Sequence, residues 1–539
     1  MRNIFLLLVA AGISYSSSAQ QDFSISLVPS QITSAPKIHS FAFAQHDGKW
    51  LFLGGRKNGL HGFLPPFAFP SSGINDSVFV VDPYLNQYWA SSLNVLNDSI
   101  REQLSSSNME YFQQDTVLYV TGGYGWKNTI SNFITFPFLT AVDVPQVINA
   151  VVNNSTLTPF FRQIRDTLMA VAGGHLEKID SVFYLTFGHR FDGYYNVNDT
   201  ITGFFVQKYT NEVRKFQIQD DGVSLSIYNY HAIQDTVNFH RRDYNLVPQI
   251  FPDGVFGQTA FSGVFRYHIN LPFLNSVDIR SDTVTVNNSF NQLLSNYDCA
   301  SLPMYDSAQN FMHTIFFGGM SLYYLDTITQ MNVLDSLVPF VNTISMVSRS
   351  SSGLLTEFNL PVRMPALLGT DALFIPDTSI LLLHKKIISL DALDSIRRIG
   401  FIVGGIQSPD KNISTTDPSL SFANPIVYEV IIDMHDTADA SPVLTENNIE
   451  DFIVYPNPAK EKVYIDFKLK KEGAVRIELF DENGRKIQTS EIKNYAPGIL
   501  NHTEINTKSF SAGNYFIRLQ FGKNGLTQKL ILRGKIIDN

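Results

Sequence analysis

Apolar residues along this chain fall in short runs rich in Phe, Tyr, Val and Ile, bounded by Gly, Asn, Asp, Ser or Pro. Runs of about four to eight such residues predict strands with turn punctuation. No long stretch carries the helical period. The pattern also recurs. HSFAFAQHDGKWLFLGGR from His39, NMEYFQQDTVLYVTGGYG from Asn108, KIDSVFYLTFGHRFDG from Lys178, NFMHTIFFGGMS from Asn310 and RRIGFIVGGIQS from Arg397 are its clearest instances. Each holds an apolar strand that ends in two glycines, or in Phe-Gly in the third. These are Gly54 and Gly55, Gly122 and Gly123, Gly188, Gly318 and Gly319, and Gly404 and Gly405. A second hairpin follows, as in DSVFVVDPYLNQYW from Asp76 and TGFFVQKYTNEVRKFQI from Thr202. The long gap between Gly188 and Gly319 leaves room for an unmarked unit near Phe261-Ser262-Gly263. A residue without Cβ suits a strand that bends sharply in a crowded place.

Small antiparallel units recurring at tens of residues argue for an all-β, radial architecture. The pattern resembles kelch repeats, in which a diglycine after an apolar strand is followed by Tyr and Trp. Trp89 and Trp126 fit, although most units lack the tryptophan. The spacing also exceeds the usual kelch length of about 50 residues. The resemblance implies a kelch-like β-propeller of six or seven blades over 36–433. A β-sandwich array or another β-solenoid is the alternative.

Residues 434–450, MHDTADASPVLTENNIE, are polar and turn-rich and read as a linker. Beyond them alternation returns, in VYIDFKL from Val463, AVRIELFD from Ala474 and GNYFIRLQF from Gly513. Asn483-Gly484 is a strong hairpin signal. The expectation for 451–539 is a small sandwich of some seven strands. Its ordered blocks are Tyr455-Pro456-Asn457-Pro458, then Leu479-Phe480-Asp481 with Gly484, then Gly513-Asn514-Tyr515-Phe516, and finally Thr527-Gln528-Lys529-Leu530. Together they resemble the C-terminal sorting domain of the Bacteroidetes type IX secretion pathway. That resemblance implies recognition by the outer-membrane translocon, followed by release or attachment at the cell surface.

The amino end agrees with export. Arg2 precedes an apolar run from Ile4 to Ile13, and Ser17-Ser18-Ala19 offers small residues for cleavage, so 1–19 reads as a secretory signal peptide and 20–35 as a lead-in. No later run is long and apolar enough to span a bilayer. The single cysteine, Cys299, excludes an intramolecular disulfide. From Glu450 onward 15 Lys and Arg stand against 11 Asp and Glu, so the tail carries +4 and the remainder −13. A body that acidic is unsuited to binding nucleic acid through its phosphates. Asp-Ser or Asp-Thr followed by an aliphatic residue or Ala occurs 13 times. It resembles the short signal for periplasmic O-glycosylation in Bacteroidetes, and the same residues also suit hairpin turns.

Candidate chemistry is sparse. His39, His46 and His61 gather in the first unit, and His175, His189 and Arg190 flank glycines in the third. Neither set has metal-ligand spacing, and no metal or cofactor is expected. His240-Arg241-Arg242-Asp243 offers cationic donors for an anion or a uronate. Asp82, Asp192, Asp253 and Asp298 are carboxylates that could converge from different units. Phe63, Phe67, Phe69, Tyr124, Trp126, Phe136 and Tyr194 follow the glycines and could line a sugar groove. No Gly-x-Ser-x-Gly elbow, His-Glu-x-x-His pair, Asp-box or nucleotide loop is present. The sequence therefore reads as an exported binding or scaffolding protein for a glycan or surface-protein ligand. A polysaccharide-acting enzyme is the alternative.

Overall fold

The computed structural model describes residues 19–21, 23–64, 67–196, 205–326, 332–435, 438–442, 449–482, 485–521 and 524–533. The signal-peptide reading of 1–19 and the turn at Gly484 therefore fall almost wholly outside the described residues. Two α-helices, Asp98–Leu104 and Val144–Val152, stand among many strands. Asn97 and Asp143 cap them by accepting from Ile100 N and Gln146 N. The second helix buries Val147, Ile148 and Val151 in the core shared by the first two sheets.

The body is built from six successive antiparallel sheets. Their first strands are Ala42–His46, Ser107–Gln114, His175–Ile179, Asn245–Ile250, Ala300–Asp306 and Leu367–Pro376. Ser24–Pro29 pairs with Tyr428–Asp433, so the beginning and end of the body share the last sheet. Residues buried on both faces fill some strands, as in Asn245–Ile250 and Thr343–Arg349. With both faces covered, no alternation of polar and apolar positions marks them. Asp115 and Asp180 occupy left-handed conformations in hairpin turns, at φ 52° and 54°. That is a local role for two of the Asp-Ser/Thr sites.

The six- or seven-bladed kelch-like propeller expected from the glycines is not what the topology gives. No sheet closes into a barrel or propeller, and the sheets are irregular, with between two and eight strands. One eight-stranded sheet joins Ala19–Gln21 and Ala438–Pro442 to the fifth unit, and a separate hairpin pairs His189–Gly193 with Phe205–Tyr209. The physical reason lies in what a diglycine reports. It marks a strand end that must bend and approach another backbone, and it says little about how whole sheets are joined.

At Gly122 an added Cβ would lie 1.9 Å from Val171 O, and at Gly318 2.0 Å from Leu368 O. In the units before Gly404-Gly405 the last glycine donates its N–H across to the next unit. Gly55 bonds Ser106 O at 2.8 Å, Gly123 bonds Val171 O at 2.8 Å and Gly188 bonds Arg241 O at 2.9 Å. Gly263, in the unmarked unit, bonds Asn296 O at 3.0 Å, and Gly319 bonds Leu368 O at 3.1 Å.

The tail forms two facing sheets. Ile449–Tyr455, Lys462–Leu469 and Leu500–Asn506 make one, and the other is centred on Gly473–Asp481, Gly513–Phe521 and Asn524–Leu532. Val463, Ile465, Phe467, Ile477, Ile517 and Leu519 fill the space between them. The body strand Asn332–Leu334 adds in parallel to Asn524–Leu532, with Val333 opposite Thr527 and Leu334 opposite Gln528. The stretch expected as a linker contains the strand Ala438–Pro442.

Candidate functional site

The first strands of the six body sheets converge on the middle of the body, and a run of main-chain bonds ties them together. Asn108 N donates to Ser40 O at 3.2 Å, Gly173 N to Asn108 O at 3.3 Å and Asp243 N to Gly173 O at 2.8 Å. Asp298 N then donates to Asp243 O at 3.0 Å, and Asp371 N to Asp298 O at 2.9 Å. Ser40 Oγ donates to Asp371 Oδ2 at 2.7 Å and links the last member to the first. All but Asp298 have positive φ, which favours the short polar residues and glycine found there.

Two cavities meet at this ring, sharing Ser40, Asn108, Gly173, Asp243 and Asp371. The smaller, about 210 Å³, is acidic. It is lined by Glu110, Glu177, Asp243, Asp298 and Asp371 with His175. Burial drives the Glu110 carboxyl well above its usual range, and its Oε2 is buried without a hydrogen-bond partner. Burial, then the neighbouring Asp371 and Asp243, push Asp298 well up too. Asp243 is raised by burial and Asp371, against the pull of Arg242. Burial lowers His175 to about 4. Its Nε2 meets Tyr244 O at 2.8 Å.

The larger cavity, about 360 Å³, is aromatic. His61 stacks on Phe69 with ring centroids 4.3 Å apart, and Tyr195 meets His61 edge-on at 5.0 Å. Phe63, Tyr124, Phe191, Phe265 and Tyr297 complete its rings. Burial depresses His61 to about 4 and takes His189 well below its usual value, so both rings are neutral near pH 7.

Polar groups reach this aromatic space from several sides. Arg56 is 5% exposed and has no carboxylate within ion-pair distance among the described residues. Its Nε donates to Asn58 Oδ1 at 3.1 Å and its Nη2 to Pro70 O at 2.6 Å, while the guanidinium lies 5.3 Å from the Phe69 ring centre. Burial lowers its pKa to about 10. Arg242 pairs with Asp243, yet its Nε is buried without a partner. His39 Nδ1 lies 3.2 Å from Asp371 Oδ2, and its Nε2 is orphaned although the residue is only 4% exposed. Thr370 Oγ1 is orphaned as well. Buried polar atoms without partners cost about 1–3 kcal/mol each and mark where a bound molecule could complete the bonding.

Sequence candidates are scattered by this geometry. His39, His61 and His189 line the larger cavity and His175 the smaller, whereas His46 sits outside beside Asp47. Arg242 and Asp243 reach the centre. Their neighbour Arg241 is a core residue, bonded to Asn238 O, Ser262 O and Asn275 and lying 4.0 Å from the Phe273 ring centre. Of the four aspartates singled out, only Asp298 converges. Asp82 pairs with Lys49, Asp192 with Arg190 and Asp253 with Arg280. Phe63, Phe69 and Tyr124 line the cavity. Phe67 is exposed, Phe136 is core, and Trp126 and Tyr194 pack around Phe133. Sequence reasoning passed over Phe191, Tyr195, Phe265, Tyr297 and Arg56. Arg56 directly follows Gly54-Gly55 and was the most findable. Cys299 is buried beside the smaller cavity, and burial pushes its thiol up. Among the described residues no cluster of His, Cys, Asp or Glu is arranged to hold a metal ion.

In the tail, Asn457 clamps the last hairpin. Its Nδ2 donates to Lys529 O at 2.8 Å, and its Oδ1 accepts from Ile531 N at 2.9 Å. The two X–Pro bonds of this block, Tyr455–Pro456 and Asn457–Pro458, are both cis. Tyr455 OH donates to Asp466 Oδ2 at 2.9 Å, and Tyr515 OH to Ser511 O at 3.1 Å. Gly513 opens the strand Gly513–Phe521.

The family model for the secretion system C-terminal sorting domain matches residues 453–533. The tail is a sorting domain. It directs the chain out through the type IX translocon, toward the extracellular side or the cell surface. No helix among the described residues is long and apolar enough to cross a membrane. No curated protein sequence matches the chain. One solved structure, that of YjhT, is similar over 71% of this chain and 94% of its own, at 11% identity and a TM-score of 0.40.

Proposed function

We propose that this sorting-domain cargo is an exported binding protein whose aromatic cavity takes a small polyhydroxylated ligand bearing a carboxylate, a uronate-type sugar. The observation that carries the reading is Arg56, a buried guanidinium in the cavity wall facing no carboxylate of its own. A ligand carboxylate would supply the missing counter-charge in a charge-assisted bond. The cavity volume lies within the usual range for small ligands. Its rings offer flat apolar faces to a pyranose, and His39 Nε2, Thr370 Oγ1 and Arg242 Nε offer unused bonding capacity to hydroxyls. A glycan array probed with the full chain tests this. Acidic saccharides should be retained by the wild type and lost with Arg56→Met. Equal retention by both proteins would overturn it.

A second reading rests on the His39–Asp371 pair. With Nδ1 held by the carboxylate, Nε2 is free to accept a proton from a ligand hydroxyl, as a general base does. Chemical change in a retained saccharide, abolished by His39→Gln, would favour an enzyme acting on glycans.

A further inference from the structure

We infer that the sorting domain is more than an address: docked on the body, it clamps the loop that forms one wall of the aromatic cavity. The inference rests on the cavity reading only for its consequence, since the docking itself is visible in strand pairing, packing and charge. The parallel pairing of Asn332–Leu334 with Asn524–Leu532 makes a body hairpin part of the tail's sheet. Body residues Leu293, Leu294, Leu322, Tyr323 and Leu334 share one hydrophobic core with the tail's Val463, Ile465 and Leu530. On the other side of the same sheet, Phe516 of the tail packs on Tyr324, Val333 and Val341.

The charge contact is specific. Lys529 Nζ lies 3.6 Å from Asp335 Oδ2, and Asp335 is only 1% exposed. A carboxylate so buried must be compensated. Besides Lys529 it accepts from Asn412 Nδ2 at 3.1 Å and from Leu337 N at 3.1 Å, while its carbonyl accepts from Val338 N at 3.0 Å. Asp335 thus shapes the turn that follows it, and Ser336, Leu337 and Val338 line the aromatic cavity. Phe265 and Asn270 line it too, from a segment whose Leu271 packs against the shared core. Lys529 therefore connects the export tail to the cavity wall through one carboxylate and one tight turn.

Removal of the tail leaves Asp335 without its cation and the wall without its apolar backing. The loop 335–341 then opens more often, and the cavity changes affinity when the tail departs. Loading and export are coupled by the same contact.

The test uses the full chain with a protease recognition sequence placed at 443–448. After cleavage, body and tail should co-elute on size exclusion, because strand pairing and shared core hold them. Hydrogen exchange should show the amides of 335–341 slow in this nicked protein, and about 10-fold faster in Lys529→Met, with 175–186 unchanged. Asp335→Asn gives the same acceleration if the charge contact matters, and guards against a folding defect peculiar to one variant. Separation of the halves after cleavage would overturn the docking. Unaltered exchange at 335–341 in both variants would overturn the clamp. Both readouts need no ligand, so failure to bind uronates would count against the proposed function and leave this inference standing.

Discussion

The body and the tail are both all-β, yet they differ in what their buried polar groups surround. The tail follows simple alternation. In Lys462–Leu469 every second residue is buried, and the intervening positions face outward. Of its motif side chains, Asn457 bonds the last hairpin and Tyr455 bonds Asp466, while Gln528 Oε1 is buried without a partner. The centre of the body instead leaves His39 Nε2, Glu110 Oε2, Arg242 Nε and Thr370 Oγ1 buried and unpartnered around two adjoining cavities. Orphaned atoms occur elsewhere too, Arg518 Nε and Gln528 Oε1 of the tail among them, but these four border open space that a bound molecule could reach.

Backbone substitution should break the comparison most strongly. At Gly123, with φ of 88°, an added Cβ would lie 2.1 Å from Ser106 Oγ and 2.5 Å from Met109 Cγ. Gly123→Ala should cost about 3 kcal/mol or more, through overpacking and strain together. Gly498 in the tail has φ of 74° and nothing within 4 Å of its built Cβ. Gly498→Ala should cost only about 1 kcal/mol, the strain alone. Denaturant unfolding of the two variants reads the contrast, and equal losses would deny that the glycines of the body are there for close approach.

Acid should affect the cavity next. His61 and His175 are buried and neutral, with folded values of about 4 against 6.5 for the free side chain. Below pH 6.5 the unfolded chain binds protons that the folded one refuses, so stability falls as pH drops from 6.5 toward 4. Each contributes on the order of 3 kcal/mol across that window. His61→Phe should flatten this part of the profile of stability against pH. An unchanged slope would mean that the ring is hydrated and protonates freely.

The smallest effect is expected on the outer face of the tail. Tyr455→Phe removes the bond to Asp466 at an exposed site and should shift the thermal midpoint least of the three. A larger loss would show that motif residues of the tail support its fold as heavily as the glycines support the body.

How much of this was legible follows the same division. The strands of the tail were readable because one face is buried and the other wet. The doubly buried strands of the body, such as Asn245–Ile250 and Thr343–Arg349, carry no such alternation. The glycines flagged one side of each crossing between units, because an absent Cβ is visible in sequence. Of the residues in the central ring, Asp243 and Asp298 stood out for their charge, whereas Ser40, Asn108, Gly173 and Asp371 were hidden. Main-chain bonds join them, so the side chains need share nothing beyond tolerance of the backbone. The propeller expectation failed because a strand-end bend is local and sheet closure is not. Arg56 was missed because its meaning lies in an absent counter-charge, which only three dimensions reveal.

If Arg56 lacks only a ligand's carboxylate, the aromatic cavity must distinguish an acidic sugar from a neutral one. Calorimetric titration of the full chain with glucuronate and with glucose, in wild type and Arg56→Met, tests it most directly. The account predicts glucuronate binding at least about 10-fold tighter than glucose, with the preference abolished in the variant. Equal affinity for the two sugars in the wild type, or a preference that survives loss of Arg56, would contradict it.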